Sequence, residues 1–327
     1  MPDNVLELRA RLKGESPRLD AYLASLYSDY SRTVIKKVID EGHVSVNGRI
    51  AKASYKVRHD DHIRVVLPPP SHDLPVPEDI PLEILYEDDY LALINKPPDM
   101  VVHPARGNWS GTLVNALLHH FDDLSEESDQ SRPGIVHRLD RDTSGVILIA
   151  KEEQTHRDLA LMFEQRRVFK EYHALVHGSV SRDSDYIEAR IMRHPHDRVK
   201  MTITHDPTQG RDACSYYEVV ERFRGFSYVR VHPRTGRTHQ IRVHLASIGH
   251  PILADKIYSS RDCVRLLDLD PHIERERDKV ILSRQALHAY RLRLKHPRTG
   301  QILEVTAPLP EEFQHTLQAL RLYRSLD

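Results

Sequence analysis

The stretch that decides the fold is GIVHRLDRDTSGVILIAK, residues 134–151. Its two apolar, β-branched runs, Ile135-Val136 and 146–149, predict strands. The segment between them is dense in arginine, aspartate and hydroxyl side chains, which is more polar chemistry than a hairpin turn requires. One interpretation is a solvated loop whose surface ion pairs contribute about 0 to 1 kcal/mol each. The other is a functional loop framed by strands, and the loop alone does not decide between them.

The composition is that of a soluble globular protein. The chain has 327 residues with 39% hydrophobic and 29% charged side chains, a length that suits two or three domains. It contains no apolar run long enough to span a membrane, and its first residues lack the layout of a secretory signal. We therefore expect a cytoplasmic protein without membrane contact. Two distant cysteines, Cys214 and Cys263, offer neither a disulfide framework nor a cysteine-based zinc site.

The net charge of −1 means that any binding of nucleic acid must come from local basic patches. One patch, residues 31–58, has seven Lys or Arg side chains and two acids. Within it, Ser31 is predicted to cap a helix that ends at Gly42. Asn47-Gly48 then predicts a hairpin, and residues 62–67 predict a further strand. Together these elements predict a small α/β module with a basic face.

The stretch 68–81 holds six prolines in fourteen positions and predicts a semi-rigid spacer, where we place a domain boundary. Beyond it, alternating residues predict strands, and Ser110 is predicted to cap an amphipathic helix. Another helix around Leu159 is followed by the predicted strand FKEYHALVHG, residues 169–178. Without further information, Tyr172 within this strand is an ordinary half-buried aromatic residue.

Two more basic segments follow, residues 190–200 and 223–245. The second contains five arginines, three histidines and no acid. Alternation in HQIRVHL is typical of a strand that places His239 on one face and Arg242 on the other. The 22 histidines invite a metal hypothesis, but no recognised ligand spacing is present and a basic strand repels cations. Since glycine-rich phosphate-binding motifs are also missing from the sequence, we expect neither a metal nor a nucleotide cofactor.

Several motifs resemble, in order and approximate spacing, those of the RluA-type pseudouridine synthases. They are NKPPDMVVHPARGN, GTLVNALLHH, HRLDRDTSG, KEYHALVHG, RTGRTHQIRVHL and RQALHAYRLRLKHPRTG. Residues 17–67 in turn resemble the ribosomal S-four-like (αL) RNA-binding domain. Pro98-Asp99 replaces the more usual Ala-Gly, and Ala254, Lys256 and Ser259 depart from a Gly-Asp-Pro-x-Tyr-Gly pattern. These departures bear on substrate identity more than on activity.

The resemblance implies an α+β fold. Its catalytic domain, residues 83–310, is expected to be built on a bent, mostly antiparallel sheet. The other expected parts are the small αL RNA-binding domain at 17–67, the proline-rich linker at 68–82 and a C-terminal extension at 311–327. The implied activity isomerises RNA uridine to pseudouridine by breaking the glycosidic bond, turning the base and rejoining it through its carbon 5, without cofactor or metal. We expect a monomer that binds RNA.

The resemblance also implies roles for individual residues. Asp140 matches the catalytic aspartate; whether it attacks the sugar, attacks the base or removes the 2′ proton stays open. Arg242 supplies the countercharge that keeps Asp140 ionised, and Tyr172 packs on the target base and helps to remove its carbon-5 proton. Arg138 is suited to fill the gap left by the flipped uridine. Six further residues are expected to contact RNA: Arg32, Lys36, Lys37, Arg49, Arg237 and His239.

The implied substrate is large-subunit ribosomal RNA rather than transfer RNA, because family members with the extra amino-terminal domain commonly modify ribosomal RNA. A rival hypothesis is a non-catalytic, ribosome-assembly RNA-binding protein, which the presence of all three implied catalytic residues weakens. A serine hydrolase based on Ser144 is a further rival, and the lack of a GxSxG elbow in the sequence weakens it.

Overall fold

The computed structural model describes residues 5–12, 16–27, 32–67, 74–104, 110–125, 132–197 and 199–326. The chain divides into two units, residues 1–74 and 75–327. This division falls within the proline-rich stretch, of which residues 68–73 lie outside the described residues. In the described ranges, no helix has the length and apolar character needed to cross a membrane.

The first unit is a small α/β module. Its elements are β1 (Val5–Arg9), α1 (Leu19–Leu26), α2 (Arg32–Asp40), β2 (Val44–Val46), β3 (Arg49–Ile50) and β4 (His62–Val66). The strands pair antiparallel in the order β1-β4-β2-β3, and both helices bury leucine and isoleucine side chains in one core with them. The predicted hairpin is confirmed, since Asn47 and Gly48 have φ values of 51° and 79°, which suits the tight turn that this pair favours. Ser31, the predicted cap, lies outside the described residues.

The second unit holds the remaining elements. They are β5 (Glu83–Glu87), β6 (Leu91–Lys96), α3 (Leu113–His120), β7 (Ser144–Ala150), α4 (Glu153–Glu164), β8 (Phe169–His177), β9 (Ser184–Glu188), β10 (Arg190–Arg193), β11 (Met201–Thr204), β12 (Cys214–Phe223), β13 (Phe226–Pro233), α5 (Gln240–Ser247), β14 (Val264–Arg265), α6 (Leu266–Leu269), a 3-10 turn (Arg275–Arg277), β15 (Val280–Leu282), β16 (Leu287–Lys295), β17 (Ile302–Thr306) and α7 (Glu311–Tyr323). The predicted strand 169–178 and the helix around Leu159 are thereby confirmed.

Nine of the described strands form the main sheet, in the order β5-β6-β7-β16-β8-β13-β12-β9, with β17 also paired to β16. Among the pairs described, β7 with β16 is parallel and the others are antiparallel. Register shifts interrupt the pairings of β5 with β6, β12 with β13 and β16 with β8, and such irregularities bend a sheet. The expected α+β fold with a mostly antiparallel sheet is confirmed.

Strand β7 shows why the opening stretch decides the fold. Every residue of β7 is buried, and successive side chains point to opposite faces of a strand. Ile147 and Ile149 pack in the core that contains α3, whereas Val146 and Leu148 pack in the core that contains Leu159 of α4. The continuous apolar run therefore belongs to a strand that is covered on both faces.

The last helix also belongs to the core of the second unit. Phe313 and Leu320 of α7 are 0% exposed and pack in the cluster that includes residues of β8, β12 and β13. Residues 311–323, within the segment interpreted from the sequence as a C-terminal extension, thus cover one side of the main sheet.

Two local predictions are wrong. Ser110 does not cap the helix that follows it; Thr112 does, and its hydroxyl accepts from the Asn115 N–H while the Asn115 side chain accepts from the Thr112 N–H. Ile135-Val136 does not form a strand either, since Ile135 makes only an isolated bridge to Ile149 before the chain bends into the polar loop. The predicted helix does begin within a few residues of Ser110. At Ile135, the residues that follow bend the chain and prevent a strand.

The expectation of a strand at HQIRVHL is also wrong, because these residues form α5. The side chains of Gln240 through Leu245 are all buried, so the polar residues among them do not mark an exposed face and give the sequence no helical period. The preceding loop folds back onto its first turn. Gln240 Oε1 accepts hydrogen bonds from the Thr235 hydroxyl at 2.7 Å and from the Arg237 N–H at 3.0 Å.

The start of β7 yields a test of this packing. Gly145 has a φ of +111°, and an added Cβ would collide with the carbonyl oxygen of Ala289 in β16. We predict that Gly145→Ala lowers the free energy of unfolding by about 2 to 4 kcal/mol, through backbone strain plus overpacking. Gly225→Ala is the matched control, because Gly225 also has a positive φ but has nothing within 4 Å of its added Cβ. Equal losses for both variants in urea unfolding would contradict the close β7–β16 approach.

Candidate active site

A cleft of about 580 Å³ opens over the centre of the main sheet. It is lined by the loop that precedes β7, by β8, by the end of α4 and by the segment that joins β13 to α5. The lining includes Asp140, Tyr172 and Arg242, so the fold brings together three residues that are far apart in the sequence.

Asp140 lies in the loop that leads into β7, and buried hydrogen bonds hold this loop. The Thr143 N–H donates to the Asp140 carbonyl at 3.1 Å, which closes a turn. Arg284, only 7% exposed, donates to the Asp142 carbonyl at 2.9 Å and to the Ser144 hydroxyl at 3.2 Å. Hydrogen bonds from Arg284 therefore fix the backbone of the loop that carries the Asp140 carboxylate.

Lys96 supports the same loop from the end of β6. Its ammonium group is fully buried and donates to three backbone carbonyl oxygens: those of Pro97 at 2.6 Å, Met100 at 2.9 Å and Arg141 at 3.0 Å. Burial, together with the nearby charge of Arg284, lowers the pKa of Lys96 to about 7. The three acceptors use all three donors of an ammonium group, so this lysine acts as a structural tie between β6 and the loop.

Arg242 lies between two carboxylates. It donates to Asp140 Oδ2 through Nη1 at 2.9 Å, and to both oxygens of Asp255 through Nε and Nη2 at 2.7 and 2.8 Å. The side chains of Arg242 and Asp255 are 5% and 0% exposed. Burial alone would lower the pKa of Arg242, but the hydrogen bonds and charges of the two carboxylates outweigh burial and raise it above its usual range. The guanidinium is therefore charged and fixed in direction.

Tyr258 and His239 complete the wall around Arg242. The guanidinium lies over the Tyr258 ring, 5.2 Å from its centroid, and the Tyr258 oxygen is 3.0 Å from His239 Nδ1. The Tyr258 oxygen also accepts from the Met201 N–H at 2.8 Å, which ties β11 to this wall. Burial lowers the pKa of His239 and raises that of Tyr258 to about 12, so both side chains are neutral near neutral pH.

Tyr172 lies in the middle of β8 and faces the same cleft. Burial and, second, the negative charge of Asp140 raise the pKa of this phenol above its usual range. Asp140 and Tyr172 both line this cleft. The phenol is therefore protonated near neutral pH and presents its ring and its hydroxyl to whatever enters the cleft.

The other residues singled out from the sequence are dispersed. Arg138, Arg237 and His239 line the cleft, and Arg138 is exposed there. Lys36, Lys37 and Arg49 are exposed on the first unit. The Arg32 side chain lies outside the described residues, as does Arg198 of the basic segment 190–200. Within the described part of the chain, no three His, Cys, Asp or Glu side chains form a cluster able to hold a metal ion.

Comparisons with known proteins identify the family of this chain. The chain matches the family model described as RNA pseudouridylate synthase over residues 90–247 and the S4 domain model over residues 17–63. An uncharacterized RNA pseudouridine synthase of Bacillus subtilis is 40% identical over 318 residues, which cover 97% of this chain and 99% of that relative. The chain belongs to the RNA pseudouridine synthase family.

Two more comparisons extend this finding. The ribosomal large subunit pseudouridine synthase D of Nitrosomonas europaea is 42% identical over 321 residues, which cover 98% of this chain and 89% of that relative. Among solved structures, human RNA pseudouridylate synthase domain containing 4 has a TM-score of 0.56 and 25% identity, and the match covers 73% of this chain and 93% of that chain. As an RNA pseudouridine synthase, this chain has RNA as its substrate and an amino-terminal S4 domain.

Two departures from the family pattern have a structural explanation in this synthase. Ala254 and Asp99 stand where the pattern has glycine, and their φ values of 55° and 59° lie in the left-handed region that favours glycine. The backbone therefore keeps the conformation that the pattern indicates. Asp99 in addition accepts a hydrogen bond from Arg141 Nε at 2.7 Å, which adds a surface contact to the loop that carries Asp140.

Sequence reasoning missed Asp255. It is an isolated acid in a segment where its neighbours, Ala254 and Lys256, depart from the family pattern, so the segment does not stand out as a motif although the aspartate of the pattern is retained. The available signal was chemical: a motif arginine that is buried needs more than one acceptor for its five N–H donors.

We predict that Asp255→Asn lowers turnover about 100-fold with a smaller effect on KM, because an amide cannot hold the guanidinium in the same bidentate geometry. The free energy of unfolding should fall by about 1.5 to 3 kcal/mol, the contribution of a hydrogen bond to a charged group. Asp212→Asn is the control, since Asp212 also pairs with an arginine, Arg190, but is 79% exposed. It should leave turnover and stability unchanged. Wild-type turnover in Asp255→Asn would refute the positioning role.

Proposed function

We propose that this protein isomerises specific uridines of large-subunit ribosomal RNA to pseudouridine, with Asp140 as the catalytic carboxylate. The observation that carries the assignment of Asp140 is its contact with the buried Arg242 in a cleft that also presents Tyr172. Ribosomal RNA is favoured because the relative from Nitrosomonas europaea, alike over 98% of this chain, is named a ribosomal large subunit pseudouridine synthase.

The charge of the site suits cleavage of a glycosidic bond. One guanidinium and two carboxylates, Asp140 and Asp255, leave the buried group with a net negative charge. Cleavage gives the ribose positive character, and a neighbouring carboxylate stabilises that charge or adds to the sugar, as in retaining glycosidases. The Asp140 side chain is 20% exposed, whereas Asp255 is fully buried, so Asp140 is the carboxylate that a nucleotide can reach. We therefore assign Asp140 a role at the sugar.

Tyr172 is assigned to the base. Its half-buried ring in the cleft offers a surface for uracil, and stacking of a base on an aromatic side chain contributes about 1 to 3 kcal/mol. Because burial and Asp140 raise the pKa of Tyr172, the phenol is a poor base near neutral pH. The implied help with carbon-5 proton removal is therefore less favoured than packing against the uracil.

The exposed basic residues are assigned to the RNA around the target. A uridine in folded RNA must be unstacked before it enters the cleft, and exposed Arg138 at the cleft lining is suited to occupy the vacated position. Lys36, Lys37 and Arg49 of the first unit are suited to contact backbone phosphates elsewhere on the RNA. A monomer suffices for this scheme, since one chain supplies both the cleft and the basic module.

We predict that Asp140→Asn lowers pseudouridine formation about 1000-fold or more and leaves RNA affinity unchanged. The amide keeps the shape and the contact with Arg242 but removes the charge that the sugar requires. Asp142→Asn is the control, because Asp142 lies two residues away and contributes its backbone carbonyl, not its carboxylate, to the contact with Arg284. Near wild-type turnover in Asp140→Asn would move the catalytic role to another carboxylate.

For the substrate, we predict that deletion of the gene removes one or more pseudouridines from large-subunit ribosomal RNA. The affected sites should lie in loops next to helices, where unstacking a uridine requires little free energy. The measurement is a pseudouridine map of total RNA, with the gene restored on a plasmid as the control. An unchanged ribosomal map together with loss from a transfer RNA would refute the substrate while keeping the enzyme class.

A further inference from the structure

One lysine in the cleft has no role in the scheme above. Lys170 lies on β8 two residues before Tyr172, and side chains two apart on a strand share a face. Both residues line the cleft. The Lys170 amine lies over the Phe163 ring at the end of α4, 5.7 Å from its centroid.

The Lys170 amine lacks a countercharge. Across the described residues, it has neither a carboxylate within ion-pair distance nor a hydrogen-bond acceptor. Burial lowers the pKa of this amine to about 8, with no neighbouring acid to oppose the shift. A partly desolvated cation without an anionic partner is stabilised most by an anion that enters with the ligand. The attraction between the two charges replaces the hydration free energy that the cation has lost.

The surroundings of Lys170 point to the same kind of ligand. Besides Arg242, the cleft lining has five basic side chains: Arg138, Arg166, Lys170, Arg234 and Arg237. The described lining has two acidic side chains. One is Asp140, which Arg242 binds, and the other is Glu164, which is exposed. This excess of cations is the electrostatic character of a site for a polyanion.

We propose that the Lys170 ammonium binds a backbone phosphate of the RNA strand at the target nucleotide, and so helps to hold the flipped uridine over Asp140 and Tyr172. This inference rests on the proposed function for the identity of the RNA. It assigns Lys170 to substrate binding rather than to the chemical step. The uracil carbonyl and ribose oxygens are the other acceptors within the same nucleotide, but they are neutral and leave the charge of the half-buried amine uncompensated.

The pH dependence of RNA binding distinguishes Lys170 from its neighbours. The other titratable groups that line this end of the cleft are His137, Asp140, Glu164, Arg166 and Tyr172. Burial lowers the pKa of His137 to about 3 and raises that of Tyr172, so neither changes charge between about pH 7 and about pH 9. The amine of Lys170 is cationic below its pKa of about 8 and neutral above it. RNA affinity should therefore fall as pH rises through this range, and Lys170→Met should remove the part of the fall that this amine causes. The buried amine of Lys96, whose pKa is about 7, is unchanged in that variant.

The experiment measures binding of a transcript of large-subunit ribosomal RNA to the full-length protein over a series of salt concentrations and pH values. Lys170→Met keeps the unbranched stem against Phe163 and removes the charge. At about pH 7 it should weaken affinity about 10- to 100-fold and reduce the slope of log affinity against log salt by about 0.7, the value for one phosphate contact on a single strand.

Lys170→Arg should retain affinity at about pH 9, where the wild type loses it. Lys279→Met, at an exposed lysine outside the cleft lining, should behave as wild type.

Unchanged affinity and salt slope in Lys170→Met would overturn the proposal. So would loss of pseudouridine formation without a change in slope, which would place the amine on the base instead of a phosphate. Pseudouridine formation in the same transcript is measured separately. The wild type could form no pseudouridine in this transcript while Lys170→Met still lowers the slope of log affinity against log salt. That result would refute the ribosomal substrate and support the phosphate contact of Lys170.

Discussion

The Arg242 guanidinium is shared between a fully buried carboxylate, Asp255, and a carboxylate that faces the cleft, Asp140. Removing a guanidinium from water is unfavourable unless its charge is compensated and its donors are satisfied. Asp255 supplies both by a bidentate contact, and this contact fixes the direction of the remaining N–H groups. One of them is aimed at Asp140, so the position of the carboxylate that we propose to be catalytic is set before any RNA arrives.

This arrangement depends on the main sheet. Asp140 and Arg242 are 102 residues apart, and they meet because β7, β16, β8 and β13 are consecutive neighbours in the sheet. The turn that carries Asp255 is joined to the same strands, since Leu253 donates to the Leu175 carbonyl of β8 at 2.9 Å. Lys96 and Arg284 hold the backbone of the Asp140 loop through its carbonyl oxygens. The site therefore depends on strands from distant parts of the chain being paired in this order.

The sequence allowed prediction of the parts whose signals are local. Alternation predicted β8, the Asn47-Gly48 pair predicted the hairpin, and the apolar run at 146–149 predicted β7. Motif resemblance predicted the family and the residues that meet in the cleft. The strand at HQIRVHL was wrong because buried polar side chains in α5 leave its sequence without a helical period. Asp255 was missed because its importance comes from one long-range contact, which no local pattern encodes.

The most direct test of the account is a structure of the Asp140→Asn variant bound to substrate RNA. The account predicts a uridine flipped into the cleft, with its ribose carbon 1′ within about 3.5 Å of the side chain at position 140 and its base against Tyr172. The Asp255–Arg242 contact should be unchanged by RNA. A uridine bound outside the cleft, or one whose ribose lies far from position 140 while its base is held elsewhere, would contradict the central role of this carboxylate.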